Sequence, residues 1–183
     1  MSHEHLRLRE LLRKAPVDPE ESLKRIASLS ITREQWRARD LKEVRETYDA
    51  CLFAYGLGKL FNREVSVIPG EVEDYDCALR TTGDGELLVA GVQLKELPPA
   101  ELNSALTLSD LIERVAASQP TDAWLLIRLN RHGYIPDETL NVPMLPYAEV
   151  WFLWANSPDG LHWCIYGDAK RRDAHRFEFS YPQ

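Results

Sequence analysis

Cysteine is scarce in this chain. Cys51, Cys77 and Cys164 are spread over 183 residues, with no C-x-x-C spacing. An odd, scattered set of that kind makes neither a disulfide framework nor a zinc site. Cys51 and Cys77 lie in apolar stretches and are expected as small core residues. Long hydrophobic runs are missing too; nothing approaches the roughly 18–20 apolar residues that a membrane helix needs. The opening "MSHEHLRLRELLRK" has no apolar signal-peptide core, so the expected location is the cytoplasm, with no membrane partner. Positive charge is in deficit: 22 Lys and Arg face 29 Asp and Glu, a net charge of −7. That argues against a nucleic-acid-binding surface covering the whole protein, because phosphate affinity comes from Lys and Arg. There is no G-x-x-x-x-G-K-[ST] and no glycine-rich turn linking a first strand to a helix, which excludes a P-loop and a Rossmann fold. There is no G-x-S-x-G either.

What is present is the composition of a globular protein, 44% hydrophobic and 28% charged. Residues 1–30 read as a helical extension: "EHLRLRELLRK", a break at "APVDP", then "PEESLKRIASL" with Pro and two acids at a helix start. Residues 31–183 read as one globular unit. The strongest helix signal is "REQWRARDLKEVRETYDACLFAYGLGKLF", whose apolar positions 41, 44, 48, 51, 52 and 55 follow helical spacing. A meander of three strands follows. "EVSVI" is expected to stop at Pro69-Gly70, "DYDCALRTT" comes second, and "ELLVAGVQLKEL" third. "GDG" at 83–85 supplies the hairpin turn. Pro98-Pro99 closes the third strand.

"LTLSDLIERVAAS" is then helical, with Thr107 or Ser109 as its cap. "DAWLLIRL" is a strand covered on both faces. A proline-containing loop leads to "AEVWFLWA" and "LHWCIYGD", joined by "NSPDG", and to "RFEFSY" at an edge. The expected class is α/β or α+β, a mixed central sheet between helices. Trp151 and Trp154 stand three apart on one strand and so face opposite sides, which predicts that one is exposed or packs against another chain.

The chemistry-bearing residues gather on the hairpin. Along the third strand Gln93 and Lys95 share a face. Asp76 precedes Gln93 by seventeen positions and can approach that face across the hairpin. A carboxylate, an amide oxygen and a lysine on one patch suit metal-assisted hydrolysis. Asp76 would hold Mg²⁺ or Mn²⁺ with Gln93 as a neutral oxygen ligand, and Lys95 would orient water and offset charge developing on phosphate. The plain alternative is a solvated cross-strand ion pair between Asp76 and Lys95, contributing about 0–1 kcal/mol.

The pattern D-x16-Q-x-K, on a hairpin that follows a helix and a first strand, resembles the PD-(D/E)xK nuclease superfamily, whose fold is called restriction-endonuclease-like. The resemblance covers residues 33–129 and implies an αβββαβ core. It implies that Asp76 and Gln93 hold the metal and that Lys95 assists the attacking water. A helical acid often joins such sites; Glu46 is the first candidate and Glu43 the second. The family more often carries Glu or Asp where Gln93 stands, and Tyr75 precedes Asp76 where the family has Pro. Asp74 shares the strand face of Asp76 and is the alternative ligand. Glu96 falls on the opposite face and does not count.

Two functional classes follow. One is a metal-dependent nuclease acting on DNA. The other is a non-catalytic, nuclease-like module that binds a protein, as immunity proteins do; the charge of −7 and the missing third-strand acid favour it. "KRRDAHR" at 170–176 holds four fixed positive charges in seven residues. It reads as a solvated turn or, for a nuclease, as a DNA contact. His132 and His162 read as structural or surface histidines, and His3 and His5 as part of a mobile start.

Overall fold

The computed structural model describes residues 15–29, 31–32, 36, 38, 41–72, 75–131, 142 and 145–183. Within them the chain is α+β. Helices α1 (Pro19–Ser28) and α2 (Lys42–Phe61) precede strands β1 (Val65–Val72), β2 (Tyr75–Gly83) and β3 (Glu86–Leu97). Helix α3 (Leu108–Ala116) and strand β4 (Trp124–Leu129) follow. Strands β5 (Glu149–Ala155), β6 (His162–Gly167) and β7 (His175–Ser180) complete the order. The strands hydrogen-bond in chain order in one mixed sheet, with β1 and β7 at its edges. The chain divides into two compact units, Met1–Gln93 with Pro182–Gln183, and Leu94–Tyr181. Residues 1–14 of the expected extension lie outside the described residues. No helix among the described residues is long and apolar enough to cross a membrane.

In the first unit α2 is the structural spine. Ala50, Cys51, Leu52, Phe53, Ala54 and Leu57 are all buried, so this stretch is covered nearly all round. Full burial of a Leu or Phe side chain stabilises by about 1.5–3 kcal/mol, which makes this helix the main apolar contributor here. α2 ends where Asn62 takes a left-handed conformation, φ 51°, and the Arg63 amide donates back to the Gly58 carbonyl at 3.0 Å. α1 begins with Asp18, whose side chain accepts from the Glu21 amide at 2.7 Å, and buries Leu23. Just before α1, Val17 exchanges two backbone hydrogen bonds with Val67, which covers part of the free edge of β1.

The expected end of β1 at Pro69-Gly70 is not observed. The strand runs on to Val72, and its pairing with β2 shifts between Pro69 and Val72. Proline lacks a donor, yet an edge strand has an unpaired side where that costs nothing, and Gly70 at φ 123° supplies the bulge. The β2–β3 hairpin matches its reading. Gly83 pairs with Glu86 across Asp84 and Gly85, both at positive φ (50° and 81°), as a tight two-residue turn requires.

In the second unit α3 starts with a capping box. The Thr107 hydroxyl accepts from the Asp110 amide at 3.1 Å, and Asp110 accepts from the Thr107 amide at 2.8 Å. Its apolar face holds Leu108, Leu111, Ile112 and Val115. β4 is buried on both faces through Leu125, Leu126 and Ile127, and it pairs in parallel with β5. β5, β6 and β7 continue antiparallel. The expectation that Trp151 or Trp154 would be exposed fails: both are 3% exposed, because both faces of β5 are covered within this unit.

Candidate active site

The register of the hairpin fixes the relation between its polar residues. The last registered pair at this end is Cys77 with Val92, so Asp76 and Gln93 are the next residue on each strand. Both are half-buried. Beside them the Tyr75 ring lies against the backbone of Gly91; a Cβ there would stand 2.2 Å from the ring. Gly91 is therefore the residue that lets Tyr75 seal this end of the hairpin. Val92 and Cys77 are buried.

Glu46 reaches the same end of the first unit from α2. Its side chain is 24% exposed and pairs with Lys42 at 3.3 Å. Glu43, the second candidate, is exposed. Burial pushes the pKa of the Cys77 thiol well above the usual thiol value, and the charges of Asp76 and Glu46 add to the rise. Asp74 lies outside the described residues.

Lys95 belongs to the stretch of β3 assigned to the second unit, and its side chain is exposed. By strand alternation it shares the face of Gln93, two residues earlier. Glu96 accepts a hydrogen bond from Asn130 Nδ2 at 3.0 Å.

Among the described residues no group of three or more His, Cys, Asp and Glu side chains is placed to hold a metal ion. The donors expected from the sequence, Asp76 and Glu46 as carboxylates and Gln93 as an amide oxygen, are all oxygen donors. Mg²⁺ prefers hard oxygen donors, keeps several waters and is commonly bound through one or two carboxylates, so the donor chemistry suits it.

The basic segment at 170–176 is half committed to its own unit. Lys170 Nζ donates to the Leu145 carbonyl at 3.1 Å and to the Tyr147 carbonyl. Arg176 pairs with Glu178 at 2.6 Å and donates to Asn156 Oδ1 at 2.9 Å. Arg171 and Arg172 are exposed. His162 is exposed, and His132 lies outside the described residues.

One acid pair escaped the sequence reading. Asp168 Oδ1 accepts from the Val150 amide at 3.0 Å and from the Lys170 amide at 3.1 Å. Glu149 accepts from the Trp151 indole at 2.8 Å, and Trp151 stacks on Trp124 with centroids 6.2 Å apart. Burial raises the Glu149 carboxyl above its ordinary value, the Trp151 bond opposes this, the Asp168 charge adds to it and Arg171 opposes it. The available signal was an acid opening an otherwise apolar strand, "EVWFLWA", and a second acid closing "CIYGD".

No protein-family model, curated protein or solved structure matches this chain.

Proposed function

We propose that this protein is a metal-dependent nuclease that hydrolyses phosphodiester bonds in DNA, on a restriction-endonuclease-like αβββαβ core. The element order α2, β1, β2, β3, α3, β4 supports that core. The feature that supports the reading is the hairpin register, which sets Asp76 and Gln93 one residue beyond the Cys77–Val92 pair on neighbouring strands. In this reading Asp76, Glu46 and Gln93 hold Mg²⁺ or Mn²⁺, which when bound polarises the phosphoryl oxygen and acidifies a water. Lys95 orients the attacking water and offsets the charge gained by the phosphate. Arg171 and Arg172 remain for DNA contacts. The test is incubation of the purified protein with plasmid and single-stranded DNA plus Mg²⁺ or Mn²⁺. Metal-dependent cleavage that Lys95→Ala removes is expected; absence of cleavage, or cleavage indifferent to Lys95→Ala, refutes the reading.

A second reading, a non-catalytic nuclease-like module that binds a protein, draws on three observations. Gln93 is neutral, Glu46 is already paired with Lys42, and the net charge is −7. It predicts no cleavage together with one specific, saturable protein partner in a pull-down.

A further inference from the structure

The first unit carries a second polar feature at the other end of α2. At a rise of 1.5 Å per residue, Lys59 stands about 20 Å along the helix from Glu46. There the start of α1, the last turns of α2 and the neighbouring ends of β1 and β2 enclose a cleft of about 820 Å³. Pockets of roughly 300–1,000 Å³ are the ordinary size for organic ligands.

Three cations line this cleft: Lys59, Arg63 and Arg80. The acids around it are mostly spent. Asp18 caps α1 by accepting from the Glu21 amide, and Glu20 pairs with Lys24 at 3.0 Å. Glu64 is the third lining acid and has neither role. Among the described residues no acid forms an ion pair with Lys59, Arg63 or Arg80. Lys59 Nζ stands 4.9 Å over the Tyr55 ring, which also lines the cleft. The Arg63 guanidinium lies over Gly83, where a Cβ would stand 2.9 Å from Nη1. A glycine at that turn therefore leaves room for the guanidinium. Two guanidinium groups and an ammonium lining one cleft are the donor set that phosphate oxygens accept from, and Arg grips phosphate through paired N–H donors. The Tyr55 ring offers an apolar surface beside them.

We propose that this cleft binds a phosphate-bearing ligand of about nucleotide size, with Arg63 and Arg80 on the phosphate and Lys59 beside it. The proposal does not depend on the hydrolytic reading, because its residues are separate from Asp76, Gln93, Glu46 and Lys95. The phosphate could belong to a free nucleotide or to a nucleic-acid end, and the experiment separates these sources.

Calorimetric titration of the full chain without divalent metal would use four probes. These are a nucleoside monophosphate, the matching nucleoside, inorganic phosphate and a short 5′-phosphorylated single strand. The nucleotide or the phosphorylated strand is expected to bind at least about tenfold more tightly than the nucleoside, given the strength of charge-assisted bonds. Arg63→Gln with Arg80→Gln is expected to weaken that binding by about tenfold or more, a loss of roughly 1.4 kcal/mol. A strand that binds where the mononucleotide does not identifies a nucleic-acid end as the source; the reverse identifies a free nucleotide. If no phosphorylated probe binds at millimolar concentration, or if binding persists in the double variant, the proposal is overturned. Should that variant fold poorly, amide shifts of the wild type decide. Shifts at Arg63, Thr81 and Thr82 on titration are expected, and shifts confined to other residues overturn it.

Discussion

Asp168 and Glu149 in the second unit, and Asp76 and Glu46 in the first, are two sets of acids that are held differently. Asp168 gives its carboxylate to two main-chain N–H groups, and Glu149 accepts from the indole of a residue two positions away. Those contacts close the corner between β5 and the loop after β6. Asp76 and Glu46 are thirty residues apart in the chain and come from a strand and a helix, and the charge of each raises the pKa of the Cys77 thiol. A carboxylate that satisfies nearby main-chain donors explains itself as a fold device. Asp76 and Glu46 belong to two distant elements, and Glu46 pairs with Lys42. That difference is why the first pair, and not the second, carries the functional reading.

The comparison can be broken at several strengths. The largest effect expected is on cleavage: Asp76→Asn should lower the metal-dependent rate by about 10²–10³-fold, the size of losing a well-placed electrostatic contact. Its stability should stay within about 1 kcal/mol of the wild type in urea unfolding. A large loss of stability with cleavage per folded molecule retained would reverse the assignment of roles.

Asp168→Ala should show the opposite profile. It strands the amides of Val150 and Lys170 and should cost about 2–3 kcal/mol in the same unfolding experiment, with metal-dependent cleavage per folded molecule unchanged. A cost below about 0.5 kcal/mol would mean that water replaces the carboxylate and that the corner does not need it.

Glu149→Gln probes the same corner through pH. The folded pKa of Glu149 is raised, chiefly by burial. Its contribution to stability is therefore full below the ordinary carboxyl value and is lost as pH rises through the raised folded value. The variant keeps an oxygen for the Trp151 indole and loses the charge. Thermal melts should coincide with the wild type in acid and lie higher for the variant near pH 8, by an amount corresponding to about 1 kcal/mol or less. A variant less stable at pH 8 would show that the ionised carboxylate is needed.

The smallest effect belongs to Lys42→Ala. An exposed i,i+4 pair contributes about 0.5 kcal/mol or less, so the melting temperature should barely move. If Glu46 is a ligand, losing this competitor should tighten Mn²⁺ binding; weaker binding would separate Glu46 from the metal.

Much of the frame was legible because local chemistry decides it. The Gly83-Asp84-Gly85 turn fixes the hairpin, the alternation in "ELLVAGVQLKEL" fixes the face of Gln93, and Thr107 with Asp110 marks the start of α3. Other features depend on neighbours that no local pattern names. Pro69-Gly70 is a stop signal in most strands, but at an edge with a bulge the strand passes through it. Trp151 and Trp154 face opposite sides as alternation demands, and both are buried because both sides are covered. Gly91 looks like a weak point in a strand until the Tyr75 ring is found against it. The helix face of α2 favours Glu46 over Glu43 as a candidate; Glu46 is half-buried and Glu43 is exposed. How far Glu46 stands from Asp76 depends on how α2 packs on the hairpin, which no local pattern names.

Binding of Mn²⁺, followed by its electron paramagnetic resonance signal, tests the central claim most directly. The account predicts that the wild type and Glu149→Gln each bind the ion alike and that Asp76→Asn does not. Equal binding by Asp76→Asn, or binding lost in Glu149→Gln, would contradict it.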